Sequence, residues 1–243
     1  MKRHTKLSVN VNKFATIRNA RGGNNPDLIQ VAKDCERWGA EGITVHPRPD
    51  ERHIRYQDVY DLKSVVTTEF NIEGYPSPDF IKMIHDIKPE QVTLVPDPPN
   101  VLTSNAGWDT EKHLSFLTEI IADLKQSAQR VSVFLEADPR LVKFAKQAGA
   151  DRIELYTESY AQGYASNRDL AIKPFIETAL EAELHQIGLN AGHDLDLNNL
   201  HFLSESLPNL LEVSIGHALV CDALYHGLQN TIQMYLSKLS MDV

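Results

Sequence analysis

The feature that most constrains this chain is its rhythm. Short β-prone runs alternate with segments of helical spacing from one end to the other. The strand-like runs are Lys6–Val11, Gly42–His46, Phe70–Gly74, Gln91–Pro96, Val131–Ala137, Arg152–Glu158, Gly188–His193 and Leu211–Gly216. Helical spacing covers Pro26–Trp38, Gln57–Thr68, Pro78–Lys88, Thr110–Ala128, Pro139–Ala148, Asp169–His185 (after a polar loop) and Asn198–Ser206. A closing helical region runs from Ala218 to about Met241. Eight such units in 243 residues predict an α/β fold, a (β/α)8 TIM barrel with short extra helices. Two joints, "RWGAEGITV" and "KQAGADRIEL", are near-copies that end a helix at Gly and re-enter a strand. No low-complexity linker divides the chain, so one barrel domain over residues 1–243 is expected. A doubly wound open sheet is the competing fold, but no GxGxxG turn follows the first strand.

Composition narrows the classes of function. A net charge of −9 argues against a nucleic-acid or anionic-membrane surface, since both need a basic field. No apolar run approaches the ~20 residues that span a bilayer, and "MKRHTKLSVNVN" has no apolar core of a secretory signal. Cys35 and Cys221 lie in helix-like segments and are expected to be reduced and buried, in a cytoplasmic protein.

In barrels of this kind, active sites form at the C-terminal ends of the strands. Those ends carry Asn10, Asn12 and Lys13; His46 and Arg48; Glu73; Thr103, Ser104 and Asn105; Glu136; Glu154 and Glu158; Asn190 and His193; then Gly216 and His217. The N-terminal ends read as much poorer in such residues. Taken singly, a strand-end histidine is most often structural and a strand glutamate is often an ion-pair partner. Independent structural residues would not gather at one end of most strands. His46 and His193 can exchange protons near neutrality, and a desolvated Glu73 can be raised into the same range. Arg48 and His53 can grip a phosphate by charge-assisted hydrogen bonds. Gly216 and His217 open a helix whose N–H groups suit an anion, and Arg21 could reach it from the loop after the first strand. Arg52 and Glu51 are assigned to the solvated face.

Together, "VNVNKFATIRNARGG", "GITVHPRPDERHI", "FNIEGYPS", "NAGHDL" and "VSIGHAL" resemble the pyridoxine 5′-phosphate synthase family, nearly from end to end. The resemblance implies a transferase that condenses 1-deoxy-D-xylulose 5-phosphate with 3-amino-2-oxopropyl phosphate. It implies no cofactor, no metal, phosphorylated small-molecule substrates, no nucleic-acid or membrane partner, and self-assembly as an octamer. By motif, His46 and Glu73 match proton acceptors, His193 a proton donor and Glu154 a transition-state stabiliser. Asn10, Arg21, Gly216 and His217 match contacts to the aminoketone phosphate; Arg48, His53 and Thr103 match contacts to the deoxyxylulose phosphate. Three departures stand out, one being Pro47 and Pro49, which stiffen the Arg48 loop and are expected to restrict its closure. Asn12-Lys13 replaces the commoner Asp-His at a substrate contact. Asp194 replaces a Gly whose backbone the family uses, and its side chain is expected to point away or cap the next helix. Two other readings remain: a metal-dependent barrel using His46, His193 and Glu73 as ligands, and a non-catalytic binder of phosphorylated ligands.

Overall fold

The computed structural model describes residues 4–97 and 106–240. Eight parallel strands close into a barrel in chain order. They are β1 (Lys6–Asn10), β2 (Gly42–Val45), β3 (Glu69–Gly74), β4 (Gln91–Leu94), β5 (Arg130–Leu135), β6 (Arg152–Tyr156), β7 (Gly188–Gly192) and β8 (Leu210–Ile215). All eight fall where the alternation places them, and the open sheet is excluded by the pairing of β1 with β8.

The helices are α1 (Asn12–Arg21), α2 (Leu28–Arg37), α3 (Tyr56–Lys63), α4 (Pro78–Ile87), α5 (Leu114–Leu124), α6 (Pro139–Gln147), α7 (Glu158–Ala171), α8 (Lys173–Leu184), α9 (Leu200–Ser206), α10 (His217–His226) and α11 (Leu228–Leu239). Several start on ordinary caps. Asp27 accepts from the backbone of Ile29 at the start of α2. Ser77 with Pro78 opens α4, and Asp138 with Pro139 opens α6.

Three elements depart from the sequence pattern. The stretch expected as a loop after the first strand is α1, which buries Phe14, Ala15 and Arg18. The polar loop after the sixth strand is α7, where only Tyr160 is buried, so no apolar stripe announced it. The closing helix is two, parted at Gly227, whose φ is 75°. Cys35 is buried as expected, with its thiol pushed up to about 12 by burial and then by Asp34 and Glu36. Cys221 is exposed, contrary to expectation.

The repeated joints have one geometry. Gly39 and Gly149 take positive φ, and the next N–H bonds back into the helix, Ala40 to Cys35 and Ala150 to Ala145. The following N–H reaches the neighbouring strand, Glu41 to Leu7 and Asp151 to Val131. A third joint repeats this with Gln186 in the left-handed position.

Alternation along each strand sorts the side chains. Leu7, Val9, Ile43, Val45, Phe70, Ile72, Val92, Leu94, Val131, Val133, Ile153, Leu155, Val213 and Ile215 pack outward into the core under the helices. The inward positions are mostly polar. Gln91 of β4 bonds Glu212 of β8, and Thr93 of β4 reaches Glu154 of β6. Strands so far apart in the barrel order can touch only through its interior. The interior is thus a polar column, whereas barrels of this type usually fill it with branched apolar residues.

Candidate active site

His46 follows the last residue of β2 and is 7% exposed. Its backbone N–H donates to Asn12 Oδ1 at 2.9 Å, and the Asn12 N–H donates to Asn10 Oδ1 at 3.0 Å. These two asparagines therefore brace the strand ends and fix where the imidazole emerges. Across the strand pair, His46 Nδ1 lies 3.8 Å from Glu73 Oε2 on β3. That is too long for a hydrogen bond and short enough for a small shift or a bridging atom to join them.

Burial decides the charge of both groups. Burial holds His46 well below the usual imidazole range, helped by Arg48, His53 and Arg52. Burial pushes Glu73 up to about 8; Arg48 opposes this, while Glu212 and Asp97 reinforce it. At neutral pH the pair is an empty imidazole beside a carboxyl that still holds its proton. Glu154 on β6 is also buried and shifted well upward, by burial, then by Glu73 and Glu212. Thr93 Oγ1 lies 3.5 Å from Glu154 Oε2 and 3.1 Å from Asn71 Oδ1. A Cβ at position 192 would stand 2.4 Å from Glu154 Oε1, so Gly192 leaves the space this carboxyl occupies.

Arg48 is 4% exposed and its guanidinium sits 3.0 Å from Asp97 Oδ2, a residue the sequence did not single out. The contact spans 49 positions and no local motif signals it. Arg48 and Asp97 line a cavity with His46, Pro47, Tyr75 and Phe80. An anion entering here meets an arginine already held by a carboxylate. His53 lies edge-on to His46, with centroids 6.4 Å apart. Its Nδ1 accepts the Ile54 N–H at 2.9 Å, so the ring proton is on Nε2. Burial, then Arg48, Lys13 and Arg52, lower His53 to about 4. The expected charge-assisted grip from His53 is therefore that of a neutral donor.

His193 follows β7. Its ring meets Tyr156 edge-to-face at 4.8 Å, and Nδ1 lies 2.9 Å from Asp194 Oδ2. The Asp194 side chain thus lies beside the histidine, at ion-pair distance but without hydrogen-bond geometry at Nδ1, and does not point away or cap the next helix. Asp196 supports that turn, accepting from the backbone of Asn198 and Asn199. After β8, Gly216 packs against Asn10 and opens α10, whose first residue is the exposed His217. That helix starts directly after β8, so its first turn lies at the C-terminal face of the barrel, where helix N–H groups suit an anion.

The remaining expected residues are scattered. Lys13 is exposed on α1 but acts electrostatically on His53. Arg21 closes α1 and is exposed. At ~1.5 Å per residue it stands about 14 Å along the axis from Asn12. Thr103, with Ser104 and Asn105, lies outside the described residues. Glu136 takes a structural task, accepting the Gly107 N–H at 3.1 Å. Glu158 accepts the Tyr156 hydroxyl at 2.6 Å. Arg52 pairs with Asp50, and Glu51 accepts the Tyr56 N–H. Among the described residues, no group of three or more His, Cys, Asp or Glu is arranged to hold a metal ion.

The N-terminal end of the barrel corrects another expectation, for it is also charged. Lys6 and Arg130 both pair with Glu69. Arg130 Nε donates to Gln91 Oε1 at 2.8 Å, and Arg152 Nη1 lies 3.0 Å from Glu212 Oε2. Glu69 and Arg130 are the first residues of their strands and read as loop in the sequence.

A closed (β/α)8 barrel with acid/base groups gathered at the strand C-termini defines a barrel enzyme. Residues 7–241 match the family model described as pyridoxal phosphate biosynthesis protein PdxJ. The chain belongs to this family. It is 66% identical over 235 residues to pyridoxine 5′-phosphate synthase of Cytophaga hutchinsonii, covering 97% of this chain and 99% of that protein. It is 61% identical over 231 residues to the enzyme of the same name from Phocaeicola vulgatus, covering 95% and 97%. Among solved structures, it resembles an open form of tryptophan synthase from M. tuberculosis, with TM-score 0.67 at 10% identity, over 98% of this chain and 94% of that one. At that identity the likeness speaks for the fold alone.

Proposed function

We propose that this chain is a pyridoxine 5′-phosphate synthase. It condenses 1-deoxy-D-xylulose 5-phosphate with 3-amino-2-oxopropyl phosphate at the C-terminal end of the barrel, giving pyridoxine 5′-phosphate, inorganic phosphate and water. Beside the family membership, the observation that carries this is the buried His46–Glu73 pair, one group empty and one protonated, 3.8 Å apart. Ring closure needs protons taken and returned several times, and such a pair can do both.

The aminoketone's own amine attacks the sugar ketone, so the imine forms between the substrates. His46, neutral, takes the first proton while Glu73 gives one; with its proton passed on, Glu73 accepts the next. His193 protonates the departing groups. Glu154, a neutral buried acid, donates a hydrogen bond to negative charge developing in the transition state. Arg48, His53 and Thr103 hold the phosphate that leaves, with Asn12 and Lys13 beside them. Asn10, the backbone at Asp194, Gly216 and His217 hold the one retained. Arg21 joins them only on the strength of the resemblance. Two phosphate anchors fix the reacting carbons, and orientation of that kind is worth ~7–11 kcal/mol of barrier.

The same resemblance leads us to propose a homo-octamer of single-domain chains, working in the cytoplasm. Leu184, Leu224 and Tyr225, between 73% and 87% exposed, are apolar side chains that assembly would cover. Among the described residues no helix is long and apolar enough to cross a membrane. Sedimentation velocity of the purified protein tests the octamer. Incubation with both substrates tests the reaction. Pyridoxine 5′-phosphate and free phosphate appearing in equal amounts is the expected result. Tight binding of both substrates without product favours the non-catalytic binder instead.

A further inference from the structure

We infer that Arg18 is a positioning residue for His53, acting from α1 through Asn19 and Asp58 to fix the segment that carries the imidazole. The inference rests on the proposed reading of His53 as a holder of the phosphate that leaves. Arg18 is 2% exposed, and its guanidinium forks onto Asp58 of α3, Nη1 to Oδ1 at 2.7 Å and Nη2 to Oδ2 at 2.8 Å. Nη2 also donates to the His53 carbonyl at 3.3 Å. Nε donates to Asn19 Oδ1 at 3.1 Å, and the same amide turns its Nδ2 to the His53 carbonyl at 2.8 Å. Asp58 in turn accepts the Arg55 N–H through Oδ2 at 2.7 Å. One buried cation thus organises the contacts that hold the backbone at residues 53 and 55 from two helices.

The ring beyond that backbone is fixed too. Its Nδ1 accepts the Ile54 N–H at 2.9 Å, and the imidazole lies edge-on to His46. Ile54 is fully buried, which pins the segment on its core side. The Nε2–H is the donor left to meet a phosphate. An apolar side chain at position 18 could fill the space at comparable cost, since desolvating a guanidinium is expensive even when it is paired. Hydrogen bonds give what packing does not: a fixed direction at one carbonyl, and that carbonyl belongs to His53. The same helix begins with Asn12, whose Oδ1 braces the backbone of His46. One helix therefore sets the backbone under both imidazoles.

The test compares Arg18→Met, Asn19→Ala and His53→Ala, alone and combined, with both substrates varied. Affinity for 1-deoxy-D-xylulose 5-phosphate is also read by isothermal titration calorimetry, which needs no turnover. Arg18→Met is expected to raise KM and Kd for this substrate on the order of tenfold, the size of one lost hydrogen bond to a charged group. KM for 3-amino-2-oxopropyl phosphate and kcat should stay within about threefold of wild type. Asn19→Ala leaves the Arg18–Asp58 pair whole and should raise the same KM about threefold. It carries the test if Arg18→Met does not fold. In the His53→Ala background neither change should weaken binding further. Unchanged affinity for the sugar phosphate in the folded variants, equal losses for the two substrates, or equal losses in both backgrounds would overturn the inference. Binding that follows the expected pattern without any product would support the positioning and overturn the synthase reading. Wild-type affinity in His53→Ala would overturn the role of His53, and the inference with it.

Discussion

Glu69 and Glu73 lie on the same strand, point into the same barrel and hold opposite charge states. They begin and nearly end β3, about 13 Å apart at ~3.3 Å per residue. Burial acts to raise both. At Glu69 it is overcome by the hydrogen bond from Lys6 and the charges of Arg130, Lys6 and Arg152, so the carboxylate stays below its usual range. At Glu73 the opposing cation, Arg48, is engaged by Asp97, and burial wins, pushing the carboxyl up to about 8. Depth and partner placement together separate a structural carboxylate from one that trades protons, for Glu73 is the more deeply buried and its opposing cation is shared with Asp97. The N-terminal end of the column is a network of ion pairs, within which burial still raises Glu212 to about 7. The C-terminal end keeps acids that burial has left protonated.

Substitutions at the two ends should therefore separate activity from stability. The largest effect is expected from Glu73→Gln, which keeps shape and loses the proton trade. Turnover should fall ~10²–10⁴-fold, about 3–5 kcal/mol of barrier, with the fold intact by circular dichroism. Arg152→Met at the other end should do the reverse. It removes the guanidinium 3.0 Å from Glu212, whose carboxyl burial already raises to about 7 and which then keeps its proton, and should cost about 1–3 kcal/mol of stability in denaturant titrations. Turnover per folded molecule should hold within about threefold of wild type, as the change lies outside the acid/base set. Thr93→Val lies between the ends. It strips a buried hydrogen bond from Asn71 and should cost about 1–3 kcal/mol of stability, with a small loss of activity through Glu154.

The smallest effect is a pH signature, and its sign differs between the two carboxyls of β3. Glu73 is raised in the folded state, so the native protein holds the extra proton between its unfolded value near 4.5 and about 8. Stability contributed by that group is present below 4.5 and is lost as pH rises through about 8. Glu69 is lowered, so its contribution is present above 4.5 and is lost as pH falls below it. Glu73→Gln should gain Tm relative to wild type as pH rises from 5 to 8, and Glu69→Gln should lose it over the acid limb. Differential scanning calorimetry from below pH 4.5 up to pH 8 checks both, the acid end reading Glu69 and the upper end Glu73.

Much of this was legible in the sequence. The strands were, because outward Ile, Val and Leu alternate with inward polar residues at period two. So was the placement of His46, Glu73 and His193 at strand C-terminal ends, whereas Glu154 lies mid-strand on β6. The charged N-terminal end was not. Its first residues, Glu69 and Arg130, resemble loop until their cross-barrel partners Lys6 and Gln91 are known. Helix α1 was hidden because it buries an arginine, with Arg18 paired to Asp58 at 2.7 Å in place of an apolar stripe. Asp97 and the turn that sets Asp194 beside His193 depend on tertiary geometry, which no local spacing encodes.

The most direct test reads the two carboxyls of β3 themselves. A ¹³C NMR titration of glutamate-labelled protein, with Glu69→Gln and Glu73→Gln to assign the signals, follows each through pH. The account predicts that Glu73 stays protonated past neutrality and titrates near pH 8, while Glu69 is already ionised below 4.5. A Glu73 signal that titrates alongside surface glutamates near ~4.3 would contradict it.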